Sequence, residues 1–473
     1  MAERIDAVVA EIGSTTTVLS AFDGLGSPGS PNGDRPGLHR PSRPRLLGQA
    51  TALTTVQEGD VTHGVAEARA RLERQTGPLE PSVFLATSSA AGGLRMTVHG
   101  LTQRMTARAA EEAALGAGAV VTYVTAGRLR DIDLTRVVES RPGLILLAGG
   151  VEGGDVDTVL CNAHRLTQGA WQDGHRPIIV YGGNSAVRAE VTGILQEAGF
   201  AVRTTANVYP AVDQLDVLPA RAVIHDAFEH HIVRAPGMER IRSLVSGPIL
   251  PTPGAVLLAV ESLSEAVGDL MALDVGGATT DVHSVTDGSP EIQGLQTEPQ
   301  PHSRRTVEGD LGTFVSAEHV AALLARDERP PTLPPALPDT PEAIEAACRL
   351  TRAAAVTAVR RHAGTLAHVY TPTGRTTVAR GRDLTACRLI IGTGGALTRL
   401  PGGIEVLEAT RGRNGGDLLL PPVDARCVLD RDYILAVCGA LLTRFGAPQV
   451  VQLMLSSLGL IEATLNHDGK VTT

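Results

Sequence analysis

Three glycine-rich turns carry the chemistry this sequence offers. The first is Glu11-Ile12-Gly13-Ser14-Thr15-Thr16-Thr17, at the end of an apolar run over residues 7–12. The second is Asp274-Val275-Gly276-Gly277-Ala278-Thr279-Thr280-Asp281, set between the apolar stretches 270–273 and 282–285. Each puts a carboxylate at a strand end, then glycine, then hydroxyl residues, then another strand. Without a Cβ in the way, the glycine amides converge into a concavity that suits phosphate oxygens. The hydroxyls add donors. The carboxylate two residues before the glycine can hold a magnesium ion, through water because that cation dehydrates reluctantly. Two such turns facing each other would clamp a polyphosphate. Asp274 is the better candidate for orienting magnesium or an attacking water, whereas Asp281 can equally pin its own hairpin. The third turn, Gly392-Thr393-Gly394-Gly395, follows Ile390-Ile391 and precedes a helical pattern. Close backbone approach there lets a flat base and ribose lie against the chain. A plain hairpin or strand-to-helix turn accounts for any one of the three taken alone. Their order and separation give them weight.

The composition narrows how anions can be held. The 473 residues are 43% apolar and 20% charged, enough for two or three packed domains. Forty-two basic and fifty-one acidic side chains give 42 − 51 = −9, which opposes attraction to nucleic acid or anionic lipid. Lys470 is the single lysine. A Walker-A lysine, a kinase strand lysine and a buried Schiff-base lysine are thereby excluded. The five cysteines are dispersed with no C-x-x-C, so neither a disulfide framework nor a thiolate zinc site is expected. No signal-peptide order opens the chain and no apolar run reaches the ~18 residues of a membrane helix, so a soluble, cytoplasmic protein is expected. Aromatic residues at 3% argue against platforms for stacking nucleic-acid bases.

The elements that must position these turns are partly visible. Residues 7–12 and 17–22 read as a hairpin. Residues 24–45, rich in Gly, Pro, Ser and Arg, read as a disordered surface loop. That loop contains a literal G-x-G-x-x-G at Gly24–Gly29, but no helix follows it. From about Leu46 to Pro210, strands near 83–86, 120–124, 144–147 and 178–181 alternate with helices near 103–115 and 185–197, which favours a parallel or mixed sheet covered by helices. The Gly149-Gly150 and Gly182-Gly183 turns read first as ordinary strand-to-helix turns. A helix over 254–263 leads to a domain boundary before Met271. Six prolines from Asp327 to Pro341 suggest an exposed linker or loop rather than a core element. Helices over 342–362 and 433–445 close the chain. His225, His230 and His231 lack the H-E-x-x-H spacing and fit a solvated helix face. Ser88-Ser89 lies in no G-x-S-x-G and fits a turn beside a nucleotide or partner.

A G-S-T-T hairpin, a D-x-G-G-x-T-T-D hairpin past mid-chain and a G-T-G-G turn about 110 residues later resemble the phosphate-1, phosphate-2 and adenosine motifs of the actin, sugar kinase and heat-shock ATPase superfamily. The helix from Pro253 to Leu263 occupies the place of that superfamily's connecting helix. Within the superfamily the chain most resembles the glutamate mutase-associated MutL family, also called GlmL, which is unrelated to the mismatch-repair ATPase of similar name. The resemblance covers nearly the whole chain and rests on residues 10–17, 88–94, 146–150, 207–210, 305–312 and 390–395. It implies an α/β actin-like (ribonuclease H-like) ATPase fold, two lobes with mixed sheets around a nucleotide cleft and an extra α/β segment in the first lobe. The expected units are 1–265, 266–430 and a C-terminal helical segment, 431–473, packing back near the first lobe.

The resemblance implies ATP and Mg2+ as ligands. It puts Gly13, Ser14, Thr15 and Thr16, with Gly276, Gly277, Thr279 and Thr280, on the phosphates. Glu11 and Asp274 fall near the metal as catalytic candidates, and Gly392, Thr393, Gly394 and Gly395 at the adenosine. Glu308 and Asp310, in a Gly-Asp-Leu-Gly loop, resemble the loop that follows phosphate-2 in heat-shock ATPases; helix capping is the alternative. Most of the superfamily has aspartate where this chain has Glu11, and the extra methylene shifts the carboxylate by about a bond length, enough to alter metal geometry. The implied function is a weak ATPase that assists an adenosylcobalamin-dependent glutamate (methylaspartate) mutase-type partner by letting damaged cobalamin be exchanged. The chain itself lacks the D-x-H-x-x-G cobalamin signature. The alternative is an ATP-dependent small-molecule enzyme on the same fold, a kinase or a hydantoinase/oxoprolinase-like amide hydrolase. The sequence leaves the oligomeric state open.

Overall fold

A computed structural model of the chain describes residues 2–13, 15–26, 43–55, 59–90, 94–171, 176–232, 237–371, 374–412 and 416–460. Most of the loop expected over 24–45, and Ser14, lie outside the described residues. Four strands open the chain: β1 (Glu3–Ile12), β2 (Thr16–Asp23), β3 (Arg45–Leu53) and β4 (Leu79–Ser88). β1 and β2 form the expected hairpin, pairing Ala7 with Phe22 through to Ile12 with Thr17. Residues 7–12 are all buried, because both faces of β1 are covered, and so they read as a continuous apolar run without alternation.

After β4 the chain leaves this sheet and builds the inserted α/β unit. β5 (Arg95–Gly100), β6 (Val120–Ala126), β7 (Leu144–Leu147), β8 (Ile178–Tyr181) and β9 (Val202–Thr204) form one parallel sheet in the order β6-β5-β7-β8-β9. Side chains of β7 alternate between two cores. Ile145 and Leu147 pack with Val137, Val159 and Val191 from the covering helices, while Leu144 and Leu146 join the core of the first lobe. β10 (Ile249–Pro251) then returns to pair in parallel with β4, completing the order β10-β4-β1-β2-β3.

The second lobe repeats the plan. β11 (Leu270–Val275) and β12 (Thr280–Val285) form a hairpin, and β13 (Ser303–Glu308) adds antiparallel to β12. A separate hairpin of β14 (Thr365–Thr371) and β15 (Gly374–Arg380) precedes β16 (Leu389–Thr393) and β17 (Arg426–Leu429), which extend the sheet in parallel from β11. The resulting order, β13-β12-β11-β16-β17, is strand for strand that of the first lobe: three antiparallel strands, then two parallel ones.

The helices Thr252–Val267, Leu435–Leu441 and Ala447–Ser457 share one core with Ala7, Val9, Val83 and Leu85 of the first sheet and Leu270, Ala272, Ile391 and Val428 of the second. The first two of these helices cross so closely that a Cβ on Gly439 would meet the Ala255 carbonyl oxygen at 2.0 Å. The closing helix expected over 433–445 is shorter, Leu435–Leu441, and Ala447–Ser457 restarts with a proline in its first turn.

Candidate functional site

The two hairpins present their turns in identical register. Glu11 pairs with Val18 and Asp274 with Asp281, each carboxylate two residues before its turn glycine. The Gly13 amide donates to the Thr16 carbonyl at 2.9 Å, and the Gly276 amide donates to the Thr279 carbonyl at 2.9 Å. Both turns line one cleft of about 410 Å³. Glu11, Gly13, Thr15 and Thr16 come to it from the first lobe, and Asp274, Gly276, Gly277 and Thr279 from the second. Gly395 adds the third turn. Gly394, at φ +85°, lies so near the second turn that a Cβ would sit 2.4 Å from Asp274 Oδ1, so glycine alone fits there.

The carboxylates of the cleft are electrostatically uncomfortable. Burial, and then the Asp274 charge, push Glu11 up to about 8, against the weaker help of the Tyr433 hydroxyl, which donates to Oε1 at 3.1 Å. Burial, and then the Asp281 charge, push Asp274 up to about 7, with Arg305 opposing. Two desolvated acids on facing turns are what a divalent cation relieves. No three His, Cys, Asp or Glu side chains among the described residues group to hold a metal ion. A magnesium ion here would therefore keep water and phosphate oxygens in its shell, which is its usual preference. The donor set thus fits a magnesium triphosphate: hydroxyls and the Gly277 amide beside a pair of carboxylates, on two turns that the Gly13 and Gly276 amides close.

Several expected residues are placed elsewhere. The buried Thr280 hydroxyl donates to the Leu311 carbonyl at 2.6 Å. Asp281 lines the cleft, but its Oδ1 is held by the buried Arg305. Arg305 Nη1 also donates to the Leu115 and Ala119 carbonyls of the inserted unit, at 2.9 and 3.1 Å. Glu308 and Asp310 do not line the cleft; both pair with Arg361, at 2.6 and 2.8 Å. Gly392 packs within its lobe's core against Leu429, Leu407 and Leu397. The Thr393 hydroxyl donates to Asp430 Oδ2 at 3.0 Å. Ser14 lies outside the described residues. Ser89 does line the cleft. His225 differs from the solvated face expected of it: burial drops it to about 4, and its Nε2 points toward Gly254. The side chains of His230 and His231 are not among those described.

Three residues of the site were not anticipated. Asp430 accepts from the Ile434 and Leu435 amides, both at 3.0 Å, and from the Ser457 hydroxyl at 2.9 Å, so it caps the closing helix and ties it to the third turn. Tyr433, at φ +52°, reaches Glu11, and the Arg399 guanidinium lies 5.6 Å over its ring. An aspartate just ahead of the apolar run at 434–441 is the available cue, a capping pattern. The Gly149-Gly150 and Gly182-Gly183 turns of the insert pack on each other: a Cβ on Gly183 would meet the Gly149 nitrogen at 2.6 Å. Glu152, just after the first of these turns, accepts from the Ser185 amide at 3.0 Å and from Asn207 at 2.9 Å.

Two sheets of one strand order, joined by core helices and opening paired glycine turns on a shared cleft, define an actin-like ATPase fold. The MutL protein family model matches residues 7–456, and the chain belongs to that family. Protein MutL of Clostridium tetanomorphum is 36% identical over 427 residues, covering 84% of this chain and 90% of that one. Among solved structures, nucleotide-free acetone carboxylase is similar with a TM-score of 0.40 and 13% identity, over 92% of this chain and 70% of that one. A diol dehydratase-reactivating factor in nucleotide-free form is similar with a TM-score of 0.33 and 13% identity, over 92% and 99%. Likenesses this distant carry no argument about function. No helix among the described residues is long and apolar enough to cross a membrane.

Proposed function

We propose that this protein binds ATP with Mg2+ in the cleft and acts as a reactivating accessory factor for an adenosylcobalamin-dependent mutase of the glutamate (methylaspartate) type. The observation that carries the nucleotide half is the pair of register-matched turns on one cleft with desolvated Glu11 and Asp274 beside them. Membership of the MutL family and the resemblance drawn from the sequence support the partner half. The Gly277 amide and the Thr15, Thr16 and Thr279 hydroxyls would hold the phosphates, on turns that the Gly13 and Gly276 amides close and where glycine keeps the backbone bare, and Glu11 and Asp274 would face the metal. When bound, the metal neutralises phosphate charge and polarises the terminal phosphoryl group. Asp274, at the end of its strand and on the cleft, would orient an attacking water.

Closure of the lobes over nucleotide would be felt in the inserted unit through Arg305, whose one guanidinium touches both Asp281 and the 115–119 turn. The test is ATP turnover with and without the mutase, together with recovery of a mutase inactivated during catalysis. Stimulation by the mutase and ATP-dependent recovery are expected. An inactivated mutase that never recovers, or a turnover that answers to a metabolite and not to a protein, would refute the reading.

A further inference from the structure

Resting on that nucleotide reading, we propose that the proline-rich strap at residues 330–340 is the base-side wall of the cleft, and that this wall receives the base by apolar contact without telling adenine from guanine. The composition of this segment reads as an exposed linker or loop. It is exposed along most of its length, but Pro334 is buried, and Pro334, Pro335, Ala336, Leu337 and Pro338 line the same cleft as the glycine turns. The strap is anchored at its ends. Arg349 donates to the Glu328 carbonyl at 3.3 Å on one side, and Thr340 caps the helix Pro341–His362 by accepting from the Ala343 amide at 3.3 Å on the other. Between those anchors residues 330–339 make no hydrogen bond among the described residues, so packing alone seats the strap.

Proline has no N–H, and three of the five lining residues are proline, so the wall presents ring faces and few donors. Of the rest of the lining, Ala347, Ala396 and Leu400 are also apolar, while Ser89, Thr252, Thr313 and Tyr433 are polar, Thr313 donating to the Gly276 carbonyl of the second turn at 3.3 Å. Arg399 is engaged, over the Tyr433 ring at 5.6 Å and toward Thr51 Oγ1 at 3.4 Å. A nucleotide has an anionic end and a flat, apolar-faced end. The cleft has a polar set of turns for the first and this apolar set for the second. Sites that hydrogen-bond a distinguishing group reject its analogue by about 10⁴-fold or more, whereas apolar pockets discriminate far less. None of these apolar side chains offers a group that tells adenine from guanine.

The test is titration calorimetry on the full chain with ATP, GTP and inorganic tripolyphosphate, each with Mg2+. ATP and GTP should bind within about tenfold of each other. Leu337→Ser should weaken both nucleotides by about fivefold or more, from the lost apolar contact, while leaving tripolyphosphate unchanged. Leu337 is 56% exposed, so the fold should tolerate this change. Leu333→Ser, on the strap but outside the cleft lining, should change neither ligand. An unchanged ATP affinity in Leu337→Ser, an equal loss for tripolyphosphate, or a preference between ATP and GTP above about tenfold would overturn the proposal. If the unaltered protein binds neither ATP nor tripolyphosphate, the nucleotide reading fails and the strap with it. If it binds both and Leu337→Ser is silent, the strap alone fails.

Discussion

Glu11 and Asp274 make the stability of the free protein depend on pH in a particular direction. Their ordinary values are 4.5 and 3.8, and the folded cleft raises them to about 8 and 7. The folded chain therefore holds protons that the unfolded chain has released between about pH 4 and 8, and stability falls as pH rises through that window. The contribution is fully present below the unfolded values and lost above the folded ones. Melting temperature without ligand should fall as pH goes from 5 to about 8.5, and Mg2+ with ATP should restore it by binding the native state. Glu11→Gln should flatten the profile. A Glu11→Gln protein that melts with the parent's pH profile would show that this pair is not the source. At this scale the sequence was informative about glycine, hydroxyl and acid positions, because turn chemistry is local. It was silent on Tyr433 and Arg399, which reach Glu11 across more than 380 residues of chain.

At the scale of elements, the β12/β13 ladder carries the contact that joins the second hairpin to the inserted unit. Arg305 is 1% exposed and binds Asp281 on one side and two carbonyls of the 115–119 turn on the other. Removing it strands a buried carboxylate, a loss that typically costs about 3–5 kcal/mol. Arg305→Met should lower unfolding stability in urea by that order, and adding Asp281→Asn should recover part of it. A single variant as stable as the parent would contradict this assignment. Elements whose residues are apolar and regularly spaced were legible: β1, β2, β4, β6, β7, β8 and the helix Pro341–His362 lie where the pattern puts them. β3, β5, β9, β10, β13, β14, β15 and β17 were not. β15, Gly374–Arg380, is mostly polar and exposed, and β17 has four residues, so neither shows an apolar period. The 330–340 strap is the exposed, irregular segment its prolines suggest, but proline says nothing about what such a segment covers, so its place on the cleft was not legible.

For the whole molecule, the repeated strand order explains why two turns some 260 residues apart face one another. Each sheet delivers its first hairpin to the same end, and the helices packed between the sheets set the gap. The fold followed from motif order through the resemblance, but the gap could not be read locally, because it depends on close packing such as that at Gly439. The account turns on whether that gap grips a magnesium triphosphate. The direct measurement is calorimetric titration of the intact protein and of Asp274→Ala with ATP, with and without Mg2+. The unaltered protein should bind one ATP and bind it more tightly with Mg2+. Asp274→Ala should fold at least as stably, since a raised acid is removed, yet lose about tenfold or more of the magnesium-dependent affinity. No binding at millimolar ATP, or an Asp274→Ala protein that binds Mg2+ and ATP as the parent does, would contradict the account.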